Sequence, residues 1–273
     1  MKVKMKSKIF TTKIQKIEKE RGNFMDAFIS AHPAITGLIC IVIIGAAIVY
    51  TITLCKVAGV AGGKNGPEAR KRLTPTQKFI LAASSPTIAH NYKCVIDIWD
   101  TSKSEVGVER AKQLLKWGWG EVTYENVKKS ADDCLNRGHN MKFIEYCSGS
   151  MSSEEAASKY TDVQRELLEK MKVKYPKQGM LGWDFVRTLS IVGGAYMVGV
   201  MEYEEAAKIA LVVCRRMQEN FSSWDDMVGS YTLGYQFWRG KKKKDRLKYY
   251  KSLKRFSWIY KISWDTPLRE EEL

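Results

Sequence analysis

The sequence predicts an all-α protein, with a single N-terminal transmembrane helix followed by a compact multi-helix domain. Three observations carry that reading. Residues 35–55 run for 21 positions without one Asp, Glu, Lys or Arg, and at 1.5 Å per residue such a helix crosses a hydrocarbon layer of roughly 30 Å. From Leu73 to Gly240 apolar side chains recur at three- and four-residue spacings, the period of helices with one buried face. Nowhere in that stretch does apolar–polar alternation last long enough to predict a strand.

Residues 1–34 form the first element. They hold eight Lys/Arg against three acids, and Phe10, Ile14, Ile17, Phe24 and Phe28 fall on one helical stripe with Lys13, Lys16 and Lys19 off it. That is a basic amphipathic arm, suited to anionic lipid headgroups. His32-Pro33 opens the predicted span 35–55 and Lys56 closes it. Residues 56–72 carry four glycines and a proline ahead of Arg70-Lys71-Arg72, which reads as a linker. Gly63-Lys64 does not make a phosphate-binding loop, because Ala58 and Asn65 stand where that loop needs Gly and Ser or Thr.

The helical domain is expected over residues 73–240. Thr74-Pro75 starts its first helix, with proline where a missing N–H costs nothing. Further helices are expected across Glu109–Trp117 and Thr123–Arg137, the latter stopping at Gly138. Ser152-Ser153-Glu154-Glu155 is a capping-box start for a long helix to about Lys174. Gly179–Val200 is almost wholly apolar and should be the central buried helix. Helices over Glu202–Asn220 and from Ser222 to about Gly240 complete the set. Residues 241–273 form a basic and aromatic C-terminal extension. Its Phe256, Trp258, Tyr260, Ile262 and Trp264 are open to three fates: packing on the domain, lying at a membrane interface, or stacking on nucleic-acid bases.

The formal charge of +15 is concentrated at the ends. Residues 1–34 carry +5 and residues 241–262 carry +9, whereas the body between them is nearly neutral. Basic arms seek polyanions, and beside an apolar span the expected polyanion is an anionic lipid surface, with nucleic acid the weaker expectation. The excess of Lys and Arg just after the span favours a cytoplasmic helical domain. Sparse cysteines at 94, 134, 147 and 214 suit reduced thiols and agree with that placement.

Several segments resemble a known family. Leu73-Thr74-Pro75-Thr76-Gln77, Leu115-Lys116-Trp117-Gly118-Trp119-Gly120 and Arg137-Gly138-His139 are similar to the first half of the domain-of-unknown-function 1266 family. Gly182-Trp183-Asp184-Phe185-Val186-Arg187, Gln218–Trp224 and Tyr231–Trp238 resemble its second half, over about residues 73–240 in all. Tyr235 departs from the pattern, standing where the family commonly has Arg. The resemblance implies a bacterial helical domain with no assigned activity.

Chemistry-bearing motifs are few. The three histidines, His32, His90 and His139, have no zinc-type spacing, and neither a nucleophile elbow nor a dinucleotide fingerprint occurs. No cofactor is expected. Asp184 and Arg187 lie three residues apart on one face of an otherwise apolar helix. Such a pair is either a structural ion pair or an anion site in which Asp184 orients the Arg187 fork, with His139 able to join it. Trp117, Trp119 and Trp238 are candidates to line that pocket or to fill the core. Glu154, Glu155, Asp225 and Asp226 sit at helix starts and read as caps. The expected function is a membrane-anchored helical interaction protein that recognises a protein partner. The alternative is an enzyme or small-ligand binder acting on an anionic ligand through Asp184, Arg187 and His139.

Overall fold

Short polar side chains set where the helices of this chain begin, because each start leaves backbone N–H groups without partners. Thr123 accepts from the Asn126 amide, Ser152 from Glu155, Thr161 from Gln164 and Ser223 from Asp226. The Ser152 and Thr161 caps are complete capping boxes, with Glu155 and Gln164 returning to the cap amides. The second box explains a departure from expectation: the single helix predicted from Ser152 to Lys174 is two helices, broken at Tyr160-Thr161.

The computed structural model describes residues 31–32, 73–91, 105–256 and 259–273. The chain divides into a unit at Met1–Thr53 and a unit at Leu54–Leu273. The first lies outside the described residues apart from Ala31 and His32. In the second, the described helices are α1 Pro75–Asn91, α2 Glu105–Trp119, α3 Tyr124–Arg137, α4 Asn140–Cys147 and α5 Ser153–Lys159. They continue as α6 Asp162–Lys174, α7 Leu181–Met197, α8 Tyr203–Asn220, α9 Trp224–Arg239 and α10 Asp245–Phe256. Two short 3₁₀ turns, Ile259–Lys261 and Glu270–Glu272, follow. The described part is all-helical, as the sequence predicts. Among its helices none is long and apolar enough to cross a membrane. The predicted span 35–55 and the linker 56–72 lie outside the described residues, as does the arm 1–34 except for Ala31 and His32.

Helix α7 is the centre of the domain. Its Trp183, Phe185, Val186, Leu189, Ile191 and Val192 are all buried, and α1, α2, α3, α8 and α9 pack around it. Gly182 lets α9 come unusually close: a Cβ there would sit 2.6 Å from the Met227 carbonyl oxygen and 2.7 Å from the Tyr231 amide nitrogen. The gap is bridged by Ser230, whose Oγ donates to the Gly179 carbonyl at 2.8 Å and accepts from the Gly182 amide at 3.1 Å.

The C-terminal residues pack into this same core. Arg246, Tyr250 and Leu253 form the buried face of α10, and Ile259, Tyr260 and Trp264 are buried beyond it. The Trp264 indole donates to the Phe221 carbonyl at 3.1 Å, and Trp224 donates to the Ile262 carbonyl at 3.0 Å. The Glu272 carboxylate accepts the Thr76 amide at 2.9 Å and its hydroxyl at 2.7 Å, capping the start of α1. Of the three fates open to the tail aromatics, Tyr260 and Trp264 take the first.

Candidate functional site

Helix α3 ends at Arg137, and a Gly138-His139 step turns the chain into α4. His139 precedes α4 but makes no side-chain cap, so the first amides of that helix need an acceptor from elsewhere. Asp184, in the first turn of α7, supplies it. Its Oδ1 accepts the His139 amide at 2.9 Å and its Oδ2 accepts the Asn140 amide at 2.7 Å. A carboxylate at a helix N-terminus gains both the two charge-assisted hydrogen bonds and the favourable dipole. Asn140 returns the service, its Oδ1 accepting the Met180 amide at 2.7 Å just ahead of α7. The two helix starts cap each other. Gly138 makes room, because a Cβ there would collide with the Asp184 carboxyl group.

Arg187 lies one turn further along α7 and is half-buried. Asp184 and Arg187 make no direct ion pair, one of the two arrangements their spacing allows: the carboxylate oxygens face the His139 and Asn140 amides. Arg187 turns instead to His139, with Nη1 2.9 Å from Nδ1. A guanidinium nitrogen only donates, so Nδ1 accepts and the imidazole proton sits on Nε2. The guanidinium lies over the Trp119 ring at 4.4 Å and near the Trp183 ring at 5.3 Å. Among the described residues Arg187 faces no carboxylate within ion-pair distance.

The electrostatics follow from burial. Desolvation pushes the Asp184 carboxyl up to about 6, against the pull of the two amides and of Arg187. Burial lowers His139 to about 4, helped by the positive charges of Arg187 and Lys142. The Asp184 carboxylate does stand 3.8 Å from Nδ1. The Arg187 hydrogen bond already occupies that nitrogen, so the ring stays neutral near pH 7.

Arg187 forms part of the wall of a cleft of about 300 Å³. Helix α2 contributes Leu114, Trp117 and Trp119, α7 contributes Trp183, Arg187 and Ser190, α9 contributes Trp238, and α10 contributes Arg246. Among the described residues that line it, none is acidic. Trp117 is 74% exposed and Trp238 37% exposed at this cleft, whereas Trp183 is 4% exposed. Arg246 is only 5% exposed. It lies over the Tyr235 ring at 4.2 Å and donates to the Tyr231 hydroxyl at 2.5 Å.

Of the three residues expected at a site, Arg187 reaches the cleft, while Asp184 and His139 stand behind it. Trp117, Trp119 and Trp238 line the cleft, and Trp119 also packs against the core. Trp183 and Arg246 are among the lining residues that sequence reasoning missed. For Arg246 a signal existed: with Tyr250 and Leu253 it repeats at four and three residues, the buried face of a helix within an otherwise basic run. Glu155, Asp225 and Asp226 lie in first turns, as expected of caps, with Glu155 closing a capping box and Asp225 also accepting from Tyr250 at 2.6 Å.

No protein with a curated description and no solved structure matches this chain. A family model described as "Protein of unknown function (DUF1266)" matches residues 114–261, more than half of the sequence. That match begins at the cleft's α2 wall and runs through α10 into the tail, so it contains every cleft residue except Thr87 and Ala111. The chain belongs to the DUF1266 family of proteins of unknown function.

Proposed function

We propose that the helical domain binds a small anionic ligand in the cleft beside Arg187. One observation carries the reading: a half-buried guanidinium on the wall of a cleft whose described lining holds no acidic residue, with no carboxylate among the described residues within ion-pair distance of it. A partly desolvated charge is costly unless something of opposite sign meets it. Arginine offers a fixed fork of donors to a carboxylate or phosphate, and His139 engages one of its terminal nitrogens. Asp184 and His139 are positioning residues, the first by locking α4 against α7 and the second by holding Nη1. The aromatic rings around the guanidinium exclude water and strengthen its field.

Titration of the 273-residue chain with inorganic phosphate, followed by calorimetry and thermal unfolding, tests this. Wild type should bind and be stabilised, Arg187→Gln should lose both effects, and Arg187→Lys should retain part of them. Binding that survives unchanged in Arg187→Gln would remove the cleft from consideration.

A second proposal concerns placement, and the uncharged segment 35–55 supports it. It holds the protein in a membrane, with the basic arm 1–34 on anionic headgroups and the helical domain on the cytoplasmic side. In this arrangement the ligand is a cytoplasmic anion, and recognition of a protein partner is secondary to it. Extraction of the chain from membranes by alkaline carbonate, without detergent, would contradict the span.

A further inference from the structure

The anion-binding reading says nothing of the ligand's body, and the cleft walls bear on that. We infer that the ligand is an aromatic anion, a flat ring carrying one phosphate or carboxylate group; this rests on the reading above. Two observations point to a ring. The first is the wall itself. Trp117, Trp119, Trp183 and Trp238 all line a cleft of about 300 Å³, a volume at the lower end of small-molecule sites. An aliphatic anion needs no such surface, whereas indole faces stack on any planar π-system.

The second is exposure. Trp117 is 74% exposed and Trp238 37% exposed, and both line the cleft. Two indoles open at one cleft form an exposed apolar surface, and such a surface in a concave site marks a ligand groove where a lone exposed ring would not.

Arg187 fixes how such a ligand would lie. Its guanidinium face is covered by Trp119 at 4.4 Å, so its N–H edge is left for the anion. Of the five guanidinium donors, His139 engages one. The acidic group therefore meets the edge of Arg187 while the ring lies along Trp117 and Trp238, the indoles left open at the cleft. Binding uses no covalent step.

The experiment compares ligands that differ only in the ring. Phenyl phosphate is set against inorganic phosphate, and benzoate against acetate, each titrated into the 273-residue chain in detergent micelles by tryptophan fluorescence and calorimetry. At least one aromatic member should bind about ten-fold or more tightly than its ring-free counterpart, the gain expected of one stacked ring. The winning pair identifies the acidic group. Trp117→Ala should lose most of that gain and keep the ring-free affinity, with an unchanged melting temperature because the side chain is exposed. Arg187→Gln should lose both members of the pair. Equal affinity within both pairs would overturn the ring and leave the anion site standing. If neither phosphate nor acetate nor their aromatic forms bind wild type, both the ring and the anion site fall.

Discussion

Arg187 and Arg246 line one cleft and each lies over an aromatic ring, yet their surroundings differ in kind. Arg246 is 5% exposed, stacked on Tyr235 at 4.2 Å and bonded to the Tyr231 hydroxyl, itself a donor to the Pro86 carbonyl at 3.2 Å. Arg187 is half-buried and holds only an imidazole nitrogen, from a ring that is neutral near pH 7. A buried charge that ties three helices together is part of the fold. A charge held in place by rings and one weak acceptor is poised. Side-chain type does not separate the two; partners do.

The largest expected effect breaks the first of these. Arg246→Ala removes the stem that packs on Tyr235 and leaves the Tyr231 oxygen without its donor. Lost packing and an unsatisfied buried group together should cost about 3 kcal/mol, lowering the melting temperature by roughly 6–12 °C in a domain of this size. A loss below about 1 kcal/mol would place Arg246 with Arg187, as a ligand group and not a tie.

Asp184→Asn tests the support behind Arg187. An amide can still accept one of the His139 and Asn140 N–H groups, but its NH₂ then faces the other, and the Gly138 backbone leaves little room to turn. The expected cost is about 2 kcal/mol in denaturant unfolding, the loss of one charge-assisted cap. Anion affinity should fall with it, because α4 carries the His139 that holds Arg187.

The pH dependence sharpens the same point with signs. The folded-state value of His139 is depressed to about 4, so its contribution is present above its unfolded value near 6.5 and is lost as pH falls toward 4. Asp184 is raised to about 6, so its contribution is present below about 4 and is lost as pH rises through 6. Between pH 6.5 and 5 the two oppose each other and wild-type stability should change little on their account. His139→Gln removes the first, so this variant should gain about 1 kcal/mol relative to wild type over that interval, measured by urea unfolding. Asp184→Asn should shift the other way by a similar amount. Changes of the same sign in both variants would contradict the assignment.

The sequence reached the all-helical class and the central position of Gly179–Val200, because periodicity and capping residues are local signals. It ran α5 into α6, since a capping box inside a helical stretch competes with helix propensity and only the Thr161–Gln164 geometry decides. It overlooked α4 because that helix start is capped by a residue 45 positions away, and no local motif records it. The rest of the cleft was illegible for a related reason. Trp183 from α7, Trp117 from α2 and Arg246 from α10 meet only through helix packing, and a run of lysines hid the buried position of Arg246. The direct Asp184–Arg187 pairing, one of two readings of their spacing, does not form: the carboxylate is turned to the His139 and Asn140 amides and Arg187 to the His139 ring.

The smallest expected effect on stability is the one that decides most about function. Arg187→Gln gives up one hydrogen bond to His139 and the cation's stacking on Trp119, but it also relieves a half-buried charge that meets no carboxylate. These terms are each about 1 kcal/mol and opposed, so the variant should unfold within about 0.5–1 kcal/mol of wild type, on either side. Its His139 should also titrate closer to the ordinary value, because one of the positive charges that depress it is gone. Anion binding should disappear all the same. A residue that is nearly silent in the folding equilibrium and indispensable in the binding one is what a poised guanidinium requires. If Arg187→Gln instead destabilised the protein as far as Arg246→Ala, both arginines would be ties between helices, and the cleft between them a packing fault with no ligand to explain it.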